Sequence, residues 1–223
     1  MSSAGGGDLA LPGGERIGVR PIGPADKRRL SQAFERLSPE SRYRRFFAPL
    51  TSLSAQDLAY LTEVDHHDHE ALVGIDPCDG SIVGVARFVR TDEPAEAEVA
   101  VVVADPWQGL GVGTALLERL VERAREEGVG SFVALVLSDN EEALEMFRNL
   151  APDSSWIRPS ASGHTEMHIE LPEPGALAAS RLGRVLSTVA REALSVNPWS
   201  VLRRTIGRRT AEIEFPEDNR PIG

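Results

Sequence analysis

Cysteine is almost missing from this chain: Cys78 is its one thiol in 223 residues. That excludes an internal disulfide, and no companion ligands stand at zinc-site spacing around it, so no metal site is expected. No run of about eighteen apolar residues occurs, which excludes a bilayer-spanning helix. The opening stretch MSSAGGGDLALPGGERIG lacks both the basic start and the apolar core of a secretory signal. Positive charge is short as well: 24 Lys and Arg stand against 34 Asp and Glu, a formal net charge of −10. Nucleic-acid binding normally rests on a basic surface, so that partner is not expected, and neither is a membrane. The balance suits a cationic partner such as an amine or a lysine side chain. A soluble cytoplasmic protein is the expectation.

The chain does have a hydrophobic content of 41%, enough for a core. Three parts are expected: a flexible segment over 1–14, a domain over 15–172, and a linker, basic amphipathic helix and tail over 173–223. RIGVRPI reads as a strand, and PADKRRLSQAFERL sets Leu30, Phe34 and Leu37 at helical spacing. SAQDLAYLTEV is a second helix, opened by a capping box of Ser54 and Asp57. EALVGID and SIVGVARFVRT form a hairpin around the turn PCDG. EAEVAVVVAD is nearly continuous in Val and Ala, as in a strand covered on both faces. A helix over Gly113–Glu127, the strand SFVALVLSD, the helix NEEALEMFRNL and the strand TEMHIELP complete the order. These elements predict an α/β layer with a mixed sheet, parallel around one crossover only. In the tail, Leu182, Val185, Leu186, Val189 and Ala193 share one helical face, opposite Arg181, Arg184 and Arg191. That helix would pack on the domain or seal a homodimer.

The stretch VVVADPWQGLGVGTALLERL carries the chemistry. A strand enters a glycine-rich turn that opens directly into a helix, which offers bare main-chain N–H groups to an anion. A nucleoside-triphosphate loop would need a lysine after its last glycine, but Gly113 is followed by Thr114 and Ala115. A dinucleotide fingerprint spaces its glycines as G-x-G-x-x-G early in a βαβ unit, whereas Gly109, Gly111 and Gly113 come late and alternate.

The pattern Gln108-Gly109-Leu110-Gly111-Val112-Gly113, with the strand before it and the helix, strand and helix after it, resembles the GNAT superfamily of acyl-CoA N-acyltransferases. The resemblance covers about residues 15–172. It implies a splayed central mixed sheet flanked by helices, with acetyl-CoA as the acyl donor. It also implies that the loop from Gln108 to Thr114 holds the pyrophosphate of coenzyme A. The pantetheine arm would lie along Val101, Val102 and Val103 like an added strand, with Asn140 touching it. Phe147 falls where many members carry a tyrosine that protonates the departing thiolate, and phenylalanine has no proton to give.

Transfer to an amine needs a base, because an alkylammonium has a pKa near ~10. Glu98, in the otherwise apolar EVAVVV, is the expected base, with Glu96 as its competitor. Together with SPESRYRRFFAPL, this glutamate narrows the resemblance to the bacterial Pat-like protein lysine acetyltransferases. DHHDHE (65–70) has its histidines too close together to converge on one ion, and is expected to border the acceptor site. In RYRRFF, Phe46 and Phe47 are expected to be buried, while some of the arginines would face the 3′-phosphate of the cofactor or acidic patches of the substrate. The reading is an acetyl-CoA-dependent N-acetyltransferase acting on a protein lysine. The alternatives are a small-molecule amine acetyltransferase and a non-catalytic acyl-CoA-binding regulatory protein.

Overall fold

The computed structural model describes residues 7–150, 155–159 and 163–172. The basic helix expected within 173–223 lies outside the described residues. Eight strands form one sheet: β1 (Gly7–Ala10), β2 (Arg16–Pro21), β3 (His69–Ile75), β4 (Ile82–Arg90), β5 (Glu96–Val103), β6 (Ser131–Leu137), β7 (Ser155–Pro159) and β8 (His164–Glu170). Their spatial order is β1-β2-β3-β4-β5-β6-β8-β7. The β5–β6 pair is parallel and every other pairing is antiparallel, so the mixed sheet with one parallel crossover is as expected.

Two strands and one helix were not foreseen. Gly7–Ala10 pairs with β2, which corrects the flexible lead-in over these residues: main-chain hydrogen bonding needs little side-chain signal. Ser155–Pro159 pairs with β8, and SPESRYRRF forms a helix.

The helices divide between the two faces. α1 (Lys27–Arg36), α2 (Pro39–Phe46) and α3 (Ala55–Thr62) lie on one; α4 (Val112–Glu126) and α5 (Glu141–Leu150) lie on the other. α1 turns Leu30 and Phe34 inward, four residues apart, onto one stripe. α2 begins at Ser38, whose hydroxyl accepts from the Ser41 N–H at 3.1 Å, with Pro39 in the first turn where its missing donor costs nothing. α3 has the expected reciprocal box between Ser54 and Asp57. Lys27 Nζ pairs with Glu63 and ties the start of α1 to the end of α3.

β5 shows how the pleat sorts the core. Val99, Val101 and Val103 pack with α4 and α5, while Val102 packs among α1, α2 and α3. Burial of each such side chain stabilises by roughly 1.5–3 kcal/mol. α4 approaches the sheet very closely at Gly84, where a Cβ would lie 2.9 Å from Leu116 Cδ1 and 3.1 Å from Val112 Cγ1. Glycine there lets the first turn of α4 settle against β4, and so fixes where the preceding loop stands.

Candidate active site

β5 and β6 run together only over Glu96–Glu98 and Ser131–Val133, and then part. Beyond that point the direction of each main-chain group follows from the neighbouring ladders. Thr91 N donates to Glu96 O and Ala104 N donates to Val83 O, so even-numbered residues of β5 turn their main chain toward β4. Val101 and Val103 therefore turn theirs toward the gap. On β6, Ser138 N donates to Gly163 O, which sends the main chain of Leu135 and Leu137 into the same gap by the same alternation. The result is a wedge walled by two strand edges. Val102 was expected among the groups lining an added strand; its main chain instead faces its partner Val85 on β4, and its side chain packs under the helices.

The glycine loop closes the wide end of the wedge. A single 3-10 turn, Asp105–Trp107, leads into it. Gly109 (φ 70°) and Gly111 (φ 87°) are both left-handed, and Gly111 is the residue before α4 with no side chain capping the helix. The N–H groups of Val112, Gly113 and Thr114 thus open the helix without intrahelical partners, at the positive end of its dipole. Val112 and Gly113 are buried against the sheet; Leu110 and Thr114 are half-buried. Gln108 turns inward: its Nε2 donates to Val103 O at 3.0 Å and to Ser41 Oγ at 3.3 Å. Its side chain anchors the loop to the end of β5.

Asp105 completes that anchor, a role with almost no local signature. Its carboxylate accepts from Ser38 N and Ser38 Oγ, both at 2.9 Å, and from Ser41 Oγ at 2.6 Å. Partial burial raises its pKa, but the bonds from Ser41 and Ser38 outweigh that and hold it below the usual carboxylate range. α2 and the glycine loop are thereby locked together. The only local signals were the N-cap pattern SPES and an aspartate at a strand end.

Glu98 stands at the apex of the wedge, the last β5 residue paired with β6. Its side chain shares the face of Ala100 and Val102, under α1–α3, with Val89 beside it on β4 and Val133 on β6. It is half-buried. Glu96, its competitor, is engaged by Thr91 Oγ1 at 3.1 Å and lies 3.6 Å from His168 Nδ1.

DHHDHE is divided by the fold. Asp65 accepts from the N–H groups of His67, Asp68 and His69, each at 2.9 Å, and His66 takes φ 61°. His66 reaches the fully buried Glu70, and His67 reaches Glu127 beyond α4. His69 alone faces the same side as Glu98: its ring packs on Tyr60, and its Nε2 lies 3.1 Å from Arg87 Nη1. Burial, reinforced by Arg87, lowers its pKa to about 3, so the ring is neutral and accepts from the guanidinium. Burial likewise raises the Tyr60 phenol, Arg87 opposes the rise, and the nearby Glu98 charge adds to it. Among the described residues no group of three metal-ligating side chains converges.

The remaining expectations fare unequally. Asn140 is buried at the start of α5, where its Oδ1 accepts from Ala143 N at 3.2 Å and caps the helix. Phe147 is fully buried in the main core. In RYRRFF, Phe46 is buried as expected, but Phe47 is only half-buried in a left-handed conformation that ends α2, its ring 4.7 Å from that of His164. In the same stretch Arg42 donates to the carbonyls of Leu37 and Glu35, Arg44 pairs with Glu40, and Arg45 is buried.

A sequence profile described as the acetyltransferase (GNAT) family matches residues 31–151. The chain is 37% identical over 146 residues to the acetyltransferase Pat of Mycolicibacterium smegmatis, a match spanning 65% of this chain and 43% of that relative. Among solved structures, the GNAT domain of S. lividans PAT superposes with a TM-score of 0.67 at 34% identity, over 74% of this chain and 97% of that one. A phosphinothricin acetyltransferase from Sinorhizobium meliloti, in complex with AcCoA, shares the fold at a TM-score of 0.59 and 19% identity, over 72% of this chain and 91% of that one. Among the described residues no helix is long and apolar enough to cross a membrane.

Proposed function

Because the chain belongs to the acetyltransferase (GNAT) family, whose acyl donor is acetyl-CoA, we propose that it transfers acetyl directly to the side-chain amine of a protein lysine in the cytoplasm. One observation carries this reading: a half-buried carboxylate, Glu98, stands at the point where two strands part, below a loop of open N–H groups. The likeness to the acetyltransferase Pat and to the GNAT domain of S. lividans PAT supports acetyl transfer, and the choice of protein lysine rests on the resemblance carried by Glu98 and SPESRYRRFFAPL.

In this reading the main chain of Gly109–Thr114 and the N-terminus of α4 hold the pyrophosphate. Val101 and Val103 hold the pantetheine arm along the edge of β5, and Asn140 borders it from the start of α5. Glu98 takes the proton from the lysine ammonium, directly or through water, so that the neutral amine attacks the thioester carbon. The Val101 or Val103 N–H stabilises the oxyanion that forms. Phe147 has no proton to give, so the departing thiolate is protonated from water.

Labelled acetyl-CoA added to a cell lysate tests the proposal, with Glu98→Gln run beside the wild type. Glu98-dependent label on protein is the expected result. Label confined to small molecules would reassign the acceptor, and no transfer despite acetyl-CoA binding would overturn the enzymatic reading.

A further inference from the structure

Under α1, α2 and α3 lies a pocket with about 490 Å³ of empty space, its mouth included. Leu30, Phe34, Phe46, Leu61, Val85 and Val102 give it apolar walls. Two arginines also line it. Arg45 is 3% exposed and Arg87 is 2% exposed. Arg87 spends Nη1 on His69 and Nη2 on Leu61 O, and its Nε has no partner. Arg45 Nε and Nη1 have none either, nor does the neighbouring Tyr60 hydroxyl. Among the described residues no carboxylate bonds to either guanidinium.

This arrangement is costly as it stands. Burial lowers the pKa of Arg45 and the Arg87 charge lowers it further, yet a guanidinium keeps its proton at any ordinary pH. Two buried like charges with open donors need a counter-charge. The open donors lie in forked, planar groups, which match a carboxylate, and the walls suit a short hydrocarbon stem.

We infer that this pocket binds a carboxylate carried on a short aliphatic chain, held by Arg45 and Arg87 with its stem among the apolar walls. Two sources share that chemistry: a free aliphatic acid, or the far end of a dicarboxylic acyl group still joined to coenzyme A. The second rests on the function proposed above, since Arg87 stands across from Ala100, two residues beyond Glu98. The first does not.

The test is binding by the full chain, without turnover. Sodium butyrate and hexanoate are titrated against matched sodium chloride while Tm is followed. The wild type is expected to gain about 5 °C or more at a hundredfold excess over Kd. Arg45→Met is expected to lose that gain and, having shed an unbalanced charge, to melt about 2–4 °C higher than the wild type in ligand-free buffer. If Arg45→Met fails to fold, Arg45→Lys, which keeps the charge but loses the fork, is expected to weaken hexanoate at least tenfold. Displacement of succinyl-CoA but not acetyl-CoA by hexanoate would assign the carboxylate to the donor; displacement of neither would assign it to a free acid. No shift of the wild type with either acid beyond the chloride control overturns the inference. Absence of acetyl transfer with the shift intact would overturn only the proposed activity.

Discussion

The two flanks of β5 are built from different materials. Toward β6 and the glycine loop the working surface is main chain: the edges of Val101 and Val103, and the uncapped N–H groups after Gly111. Toward α1–α3 it is side chain: Glu98, Tyr60, His69, Arg45 and Arg87, gathered from five elements. In the proposed reading the first flank would recognise any ligand with the right phosphate and amide geometry. The second depends on charges in a poorly hydrated space, where Arg87 acts on the titration of Tyr60, His69 and Arg45.

That contrast can be broken most sharply at Glu98. Glu98→Gln keeps the shape of the side-chain flank and removes its proton acceptor, so kcat/KM for amine is expected to fall about 100-fold or more with acetyl-CoA binding unchanged. Gly111→Val attacks the other flank. It forces a β-branched residue to φ 87°, and even a Cβ there meets Pro12 Cδ at 3.0 Å. About a tenfold rise in KM for acetyl-CoA is expected with kcat nearly kept, along with a loss of roughly 1–2 kcal/mol in urea unfolding. A smaller effect is expected from Asp105→Ala, which leaves the Ser38 and Ser41 donors without their acceptor; about 1–3 kcal/mol should be lost, and the loop should exchange its amide hydrogens faster.

A pH titration sharpens the comparison further. Folding lowers the pKa of His69 from 6.5 to about 3, so between those values the unfolded chain binds more protons. The stability that this histidine contributes is complete above pH 6.5 and is lost as the pH falls from there toward 3. Urea midpoints measured from pH 7 to 4 should therefore decline less steeply in His69→Gln than in the wild type. Asn140→Ala should do least, about 1 kcal/mol for a lost helix cap.

The same contrast explains what could be read in advance. Main-chain function leaves local traces: Gly109 and Gly111 are adjacent to the helix they serve, and the Val-rich run before them announces a buried strand. Glu98 was visible because a carboxylate in EVAVVV breaks its pattern. The arginine pocket left no such trace, since Arg45 and Arg87 are 42 positions apart in the sequence and sit in a helix and a strand of ordinary appearance. The Asp105 clamp was hidden for the same reason, because Ser38 and Ser41 lie more than sixty residues upstream. β1 and β7 were missed because short strands at a sheet's border are recruited mainly by main-chain pairing.

The bond between Lys27 and Glu63 has a practical consequence. Lys27 is the sole lysine in this sequence, and its ammonium is already engaged. Under the proposed function, an enzyme that modifies lysine and carries one such side chain would scarcely label itself. Radioactivity recovered on the protein's own band can therefore be audited with a single control, Lys27→Arg, and whatever label remains elsewhere reports true targets.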